Sequence, residues 1–516
     1  MPRTLSVPAA VGAAVLLAAL LWLGRLEAGG PVHTDLVLPG GVPGTLYLPS
    51  SGGDHGSRHP APPRGELPPA VVVAHGIVSD RAGMSSLSRR LASNGYTVLA
   101  IDLRGHGTNR NPFTPSPREP GLVADVAAAV DWLRTSSYAD GARIAVLGHS
   151  MGARAVLRFA ESDSGIDATV LVSGGAGRFG PYRPANALVI FAEGDPADIR
   201  ARASEVAAGL AGVAQPEPGR RYGDFQRGDA VRLVEIPGAD HATILWSRPA
   251  AKEMLAWLDE AFGITRATAP TLGEPRLRAL LLALVALPFA LVGVGLVLGG
   301  IAPAWREEEG SWSALGLLAF ALVAALPLSA ATPLASFLDL EIADGMIGAL
   351  ALAGTAVLAG RALSSRPLLP GPTGPRTAAA AGVAFAAAYA FIAPLGVCVH
   401  RLAPTGERAL AGLGAALLLL PFFLAFETLL RRGAPRAALA RCIAGRLLVL
   451  TALPLGVLLG ALDGVVLLLV GPFAAFFAIQ EIVAAVAYPL CRNPLASALF
   501  QSLLLAWPLA AIMPLR

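Results

Sequence analysis

The chain has 516 residues, 54% of them hydrophobic, and a mean hydropathy of +0.58, which is too long for one ordinary domain and too apolar for a wholly soluble protein. A formal net charge of only +4, with arginines scattered or flanking apolar runs, reads as membrane topology and excludes a footprint for RNA or DNA. Cys398, Cys442 and Cys491 all lie in the apolar C-terminal half, so the polar half has neither a disulfide nor a cysteine nucleophile; Lys252, the only lysine, sits in a surface-helix pattern and leaves histidine as the available base.

Residues 1–28 form the first element. Thr4 to Gly24 is uncharged, rich in leucine and alanine, follows Arg3, and at about 1.5 Å per residue is long enough to span a bilayer. Its apolar core is longer than that of a cleavable signal, and Leu26-Glu27-Ala28 is a poor cleavage site, so an uncleaved anchor is favoured over an export signal. Both readings carry the next segment across the membrane.

From about residue 32 to Gly263, short β-type runs alternate with amphipathic helices, the pattern of an α/β domain with a mostly parallel sheet. Thr34–Leu38 and Thr45–Leu48 read as a hairpin joined by Pro39-Gly40-Gly41-Val42-Pro43-Gly44. The following loop, Ser50 to Pro69, holds His55 and His59 without a helix to align them or a nearby carboxylate pair to complete a metal site, and is read as solvated. The strand Ala70–Ala74 then runs into His75-Gly76-Ile77. A helix over Ser85–Asn94 stops at Gly95, a strand covers Tyr96–Asp102, and Leu103-Arg104-Gly105-His106-Gly107 precedes a helix over Pro120–Thr135.

Arg143-Ile144-Ala145-Val146-Leu147, then Gly148-His149-Ser150-Met151-Gly152, then Ala153 to Phe159 reads as strand, sharp turn and helix. A serine on such a turn is strained, and glycines on either side let strand and helix approach closely enough to present its hydroxyl. Beside this elbow, the backbone N–H groups of Ile77 and Met151 could hold the oxyanion of a tetrahedral intermediate. The series His75-Gly76, Gly95-Tyr96 before a strand, Asp102 to Gly107 and Gly148 to Gly152 resembles the α/β-hydrolase family, in particular its monoacylglycerol lipase and serine aminopeptidase-like branch. The resemblance covers roughly the first half of the chain. It implies that Asp102, Arg104 and His106 brace the loop beneath the site rather than catalyse; His75 is read as a turn histidine that orders its loop.

Ala168–Val172, Ala187–Ala192 and Val231–Ile236 read as further strands, each ending in polar residues. An open parallel sheet places its chemistry at the carboxyl ends of its strands. Asp195 follows the penultimate strand and His241 the last, and the chain order Ser150, Asp195, His241 is the one expected of this fold. His241 would take the proton of Ser150, and Asp195 would fix its tautomer, with Glu193 and Asp198 as alternative acids. The connection Ser173 to Asn186 is too short for a helical lid. The site should therefore be open, suiting small esters or an exposed acyl chain, which departs from the monoacylglycerol lipase pattern.

A polar linker, 264–278, leads to eight apolar stretches within 279–516: Ala279–Pro303, Trp312–Phe337, Gly345–Gly360, Thr377–Val399, Ala409–Phe426, Leu447–Leu462, Gly464–Ala487 and Pro494–Met513. The third and sixth are short for a span. Arg361, Arg366 and Arg376 share one connection, Arg431, Arg432, Arg436 and Arg441 another, and Arg492 lies in a third. The positive-inside rule makes these cytoplasmic and the hydrolase domain external, although Arg276 and Arg278 count against it. Within the spans, Glu427, Arg446, Gln480 and Glu481 are possible functional sites, with charge pairing the plainer account.

These readings combine into an α/β-hydrolase with a doubly wound, mostly parallel, lidless sheet, an N-terminal anchor and an all-α multi-span domain in the plasma membrane. The expected chemistry is serine hydrolysis of an ester, or of an amide or thioester, through an acyl-enzyme. No cofactor or metal is expected; the partners are a small-molecule or lipid-like acyl substrate and the membrane, not nucleic acid. The alternatives are acyl transfer on the same triad, or a transporter or assembly membrane protein with a little-used hydrolase-like binding domain.

Overall fold

Ala-Val-Val-Val-Ala, residues 70–74, offers no polar side to either face of a sheet, which suits only a strand covered by helices on both faces. The computed structural model describes residues 2–49, 66–116, 119–175, 182–283, 312–331, 334–364, 375–392, 400, 401, 404, 406–491 and 493–516. His55, His59, Cys398, Arg366, Arg492 and most of the first C-terminal apolar stretch lie outside these residues. By internal contacts the chain forms two units: one of Leu23–Arg278 with Gly396–Arg401 and Arg516, the other of Met1–Trp22, Ala279–Leu395 and Leu402–Leu515.

The first unit is built on nine strands: β1 (His33–Leu38), β2 (Val42–Tyr47), β3 (Ala70–Ala74), β4 (Thr97–Ile101), β5 (Ile144–His149), β6 (Ala168–Val172), β7 (Ala187–Ala192), β8 (Arg221–Tyr222) and β9 (Val231–Ile236). Their order is β1-β2-β4-β3-β5-β6-β7-β9-β8. The strands from β4 to β9 in that order are mutually parallel, while β1, β2 and β8 add antiparallel pairings at the edges. The chain runs from β3 outward to β4 and then returns across β3 to β5, so the strand order reverses between β3 and β5. A crevice opens at the carboxyl ends of strands at such a reversal.

The helices of this unit after α1 (Pro2–Ala28) are α2 (Ser85–Ser93), α3 (Pro120–Thr135), α4 (Met151–Ala160), α5 (Ala197–Ala211) and α6 (Arg248–Ala261). Side chains alternate across a strand, and β3 shows this directly. Ala70, Val72 and Ala74 join one core with Val126 and Val130 of α3, Val156 of α4 and Val206 of α5. Val71 and Val73 join the other with Leu87 and Leu91 of α2 and with Met254 and Leu258 of α6. Two cores, one on each face, explain why the central strands are apolar throughout.

The hairpin is tighter than the sequence suggested. Val42, Pro43 and Gly44 belong to β2, paired with Leu38, Val37 and Leu36, and only Pro39–Gly41 form the turn, with Gly40 at φ 76°. Pro43 is tolerated because it lies near the start of its strand.

The second unit is helical among its described residues. Among the described residues, seven helices are long and apolar enough to cross a membrane: Ala10–Ala28, Ser313–Ala330, Ala343–Leu363, Glu407–Leu430, Arg436–Leu458, Val466–Ala485 and Pro494–Ile512. They mark the chain as a membrane protein. The third expected stretch is longer than the sequence indicated. The sixth starts earlier, since its helix covers Pro435–Leu458. Arg436 and Arg441 therefore lie on a helix rather than in a connection; arginine is a good helix former, and the guanidinium of Arg441 donates to the carbonyls of Leu430 and Arg432. The expected stretch Thr377–Val399 is helical over Pro375–Ile392, with the remainder outside the described residues.

Candidate active site

The elbow follows from steric necessity. Ser150 has φ 53° and ψ −113°, a conformation that costs a non-glycine residue about 1–3 kcal/mol and survives only where the surroundings impose it. A Cβ on Gly148 would meet the Gly152 carbonyl oxygen at 2.2 Å, and one on Gly152 would meet that of Ala74 at 2.4 Å. Only hydrogen fits at either position, so β3, β5 and α4 close around the serine. The Ser150 N–H is tied to the Val172 carbonyl at 2.8 Å.

Three strand ends converge here. Ser150 follows β5, Asp195 follows β7 and His241 follows β9. His241 Nε2 lies 3.1 Å from Ser150 Oγ, and His241 Nδ1 lies 2.6 Å from Asp195 Oδ1. Asp195 Oδ2 accepts from Ser173 Oγ and from the Ala192 N–H, each at 2.7 Å. Burial works against a charge on Asp195, but the hydrogen bonds from His241, Ser173 and Ala192 outweigh it and hold the carboxyl below its usual range. An ionised carboxylate only accepts, so Nδ1 of His241 carries the proton and Nε2 is left to accept from the Ser150 hydroxyl. The alternative acids point elsewhere: Glu193 accepts from the Gly238 N–H at 2.8 Å, and the exposed Asp198 pairs with Arg202.

The other expected site residues surround this trio. Gly76 lies so close to the elbow that a Cβ on it would be 3.1 Å from Ser150 Cβ, which brings the backbone leading into Ile77 beside the serine. Met151 is the first residue of α4 and is fully buried. The Nδ1–H of His75 donates to the Gly76 carbonyl at 2.7 Å, and its Nε2 accepts from the Leu103 N–H at 3.0 Å. Burial holds this imidazole below its usual pKa. His149 Nε2–H donates to the His241 carbonyl at 2.8 Å; burial, helped by the neighbouring His241, pushes its pKa down to about 3.

Asp102 accepts from the Arg81 and Thr108 N–H groups, at 2.9 and 2.8 Å, and pairs with the Arg81 guanidinium. Asp125 receives the N–H and the guanidinium of Arg104 at 2.8 and 2.9 Å. His106 Nδ1 lies 2.8 Å from the Arg104 carbonyl. None of these three holds Ser150 or His241. Ser173 was missed from the sequence; a polar residue directly at the end of β6 was the one signal for it.

Residues 65–192 match the family profile of serine aminopeptidase, S33 (Hydrolase_4). This part of the chain has the α/β-hydrolase fold. The matched residues include Ser150 and stop short of Asp195 and His241. An uncharacterized protein of Mycobacterium tuberculosis is 40% identical over 110 residues, 21% of this chain and 34% of its own length. Bis(hydroxyethyl) terephthalate hydrolase of Streptomyces coelicolor is 30% identical over 167 residues, covering 31% of this chain and 47% of that protein. Cutinase est1 of Thermobifida alba is 28% identical over 133 residues, 25% of this chain and 38% of its own. The chain thus spans between about a third and a half of the length of these relatives.

In the helical unit the polar residues singled out from the sequence meet in one buried network. Arg431 Nε donates to Glu427 Oε2 at 2.7 Å, and its Nη2 donates to Glu481 Oε2 at 2.8 Å. Arg446 donates to Glu481 at 2.8 Å and to Gln480 and Gln501 at 2.6 Å each. The Gln501 amide donates to Glu427 at 2.6 Å, closing the circuit. Two arginines face two glutamates, so the network is neutral, as burial among apolar helices demands. Glu427 is thus engaged by charge pairing.

Proposed function

We propose that the chain is a membrane-anchored serine hydrolase that cleaves an ester through an acyl-enzyme on Ser150, with its hydrolase unit outside the cytoplasm. The observation that carries this reading is the unbroken relay Asp195–His241–Ser150, with contacts of 2.6 and 3.1 Å. Nε2 of His241 takes the hydroxyl proton as Oγ attacks the acyl carbon, and the negative charge that develops on the carbonyl oxygen is met by the N–H groups of Ile77 and Met151. The bond to the leaving alcohol breaks as His241 returns the proton to it. Water, deprotonated by the same imidazole, then releases the acid and regenerates Ser150. Asp195 stays ionised throughout and stabilises the imidazolium.

Ester cleavage is favoured over amide cleavage by the relatives named for ester substrates, the terephthalate hydrolase and the cutinase. Only 14 residues join β6 to β7, leaving no room for a helical cap, which favours small or surface-presented acyl groups. The test is a panel of short and long acyl esters with the purified full-length protein, together with labelling by a fluorophosphonate. Ser150→Ala should abolish turnover and labelling while leaving thermal stability within a few degrees. Labelling of Ser150→Ala at the wild-type rate would overturn the reading.

A further inference from the structure

Between Ile77 and α2 lies a buried carboxylate that the proposed relay does not use. Asp80 is 0% exposed. Its Oδ1 accepts from the N–H groups of Ala82 and Gly83, at 2.9 and 3.2 Å, and so turns the chain into α2. Its Oδ2 accepts from the backbone N–H of Arg401 at 3.0 Å, and His400 Nδ1 lies 3.4 Å from the same oxygen. Burial opposes a charge here too, but the nearby imidazoles of His400 and His75 and the N–H groups of Arg401 and Gly83 hold Asp80 below its usual range. In sequence, His400 and Arg401 stand between the apolar helices Pro375–Ile392 and Glu407–Leu430. By contacts, however, their segment Gly396–Arg401 belongs to the unit of the sheet. The Arg401 guanidinium also donates to Asp35 Oδ2 on β1 at 2.7 Å, in a partly exposed ion pair.

The turn that Asp80 closes has a reason to need holding. Val78, next to Ile77, has φ 57°, where a β-branched side chain is strained by about 1–3 kcal/mol. Such a conformation persists only if both flanks are fixed. Upstream, His75 is clamped between the Gly76 carbonyl and the Leu103 N–H. Downstream, Arg81 is bound to Asp102 through both its N–H and its guanidinium, and Asp80 is bound to Arg401.

We propose that Asp80, seated by the Arg401 N–H, is a positioning residue that aims the Ile77 N–H at the reacting carbonyl oxygen. The His400–Arg401 stretch of the same unit thereby supports its active site. This rests on the relay and oxyanion donors of the proposed function. A donor placed for the transition state contributes to turnover more than to binding. Weakening the seat should therefore lower kcat and spare KM.

The test uses the full-length protein in detergent with a short p-nitrophenyl ester. Asp80→Asn cannot accept at both ends of its side chain, so it faces one donor with another. Arg401→Pro deletes the N–H, whereas Arg401→Ala keeps it. We expect Asp80→Asn and Arg401→Pro each to lower kcat by roughly tenfold to a hundredfold with KM within about twofold, less than the full loss of an oxyanion donor. The double variant should lose no more than the worse single one, because both break one contact. Arg401→Ala should stay within about threefold of wild type, since it loses only a partly exposed ion pair.

Unchanged kcat in Asp80→Asn, or a loss carried by KM, would overturn the proposal, as would losses that multiply in the double variant. Should Arg401→Pro fail to fold, Asp80→Asn against Arg401→Ala still decides. Ser150→Ala in the same assay separates the two readings. If it remains active, the relay itself is wrong; if it is inactive while Asp80→Asn is not impaired, only the positioning role falls.

Discussion

At the residue scale, His241 is oriented by one carboxylate, and the hydrogen bonds predict which substitution matters. Asp195→Asn should lower kcat by about four orders of magnitude, because an amide facing Nδ1 favours the wrong tautomer. Asp198→Asn and Glu193→Gln should stay within a few fold, since neither side chain reaches the imidazole. Comparing the three on one ester checks this, and equal losses would move the acid. Ser150, Asp195 and His241 could be selected from the sequence because each sits just past a strand in the order this fold uses. Ser173 and Asp80 could not, because their roles come from partners far along the chain: Asp195 is 22 residues from Ser173, and Arg401 is 321 from Asp80. His149 offers a second prediction. Its pKa is held at about 3 in the fold, against about 6.5 in an unfolded chain. Between these values the unfolded state binds a proton that the folded state refuses, so this stability term is intact above pH 6.5 and is lost as pH falls toward 3. His149→Gln keeps a donor for the His241 carbonyl but cannot titrate. The variant's melting temperature should therefore fall less than that of the wild type between about pH 7 and pH 4, as thermal scans of the two proteins would register.

At the scale of elements, apolar patterning was informative where one helix or strand is explained by its own sequence, and less so where an element is held by its neighbours. The strands from β3 to β7 are nearly continuous apolar runs, legible because a sheet covered on both faces needs no polar side. The helix Pro435–Leu458 was read short because Arg436, Arg441 and Arg446 interrupt its apolar run. Two of these charges are met by neighbouring segments: Arg441 by the carbonyls of Leu430 and Arg432, and Arg446 by Glu481, Gln480 and Gln501. The neutral network joins Glu407–Leu430, Pro435–Leu458, Val466–Cys491 and Pro494–Ile512, and its balance predicts an asymmetry. Arg446→Leu leaves Glu481 with one arginine and two amides without their donor, and should destabilise the helical unit by about 3–5 kcal/mol, the usual cost of breaking a buried pair from one side. Replacing Arg446 and Glu481 together, by Leu and Gln, should cost less than Arg446→Leu alone. Detergent melting curves of the purified variants measure this; a double variant weaker than Arg446→Leu would show that the ion pair is not the unit that matters.

At the scale of the whole molecule, the side on which the hydrolase unit lies rests on the anchor and on the arginine count, and contacts inside each unit constrain that count. Within the helical unit, Leu340 pairs with Leu515, and the Glu341 N–H donates to the Pro514 carbonyl at 2.9 Å. The connection before Ala343–Leu363 and the end of the chain therefore lie at one end of the bundle. Among the described residues, six helices separate them in sequence: Ala343–Leu363, Pro375–Ile392, Glu407–Leu430, Pro435–Leu458, Val466–Cys491 and Pro494–Ile512. An even number is what returning to the same end requires if every one of them crosses. Within the sheet unit, Arg401 lies against Asp80 and Asp35. If every one of the six helices crosses, the arginine-rich ends at Arg361 and Arg431–Arg432 lie together at the end of the bundle opposite Leu340. The positive-inside rule would make that end cytoplasmic, and the proposed external hydrolase unit is what the anchor reading then requires. A reporter fused after Gly263 should then read as external, and protease added to intact cells should remove the hydrolase unit while sparing tags placed after Ser364. If the tag is cut and the hydrolase unit is protected, the orientation is inverted, and the ester substrates must be sought inside the cell.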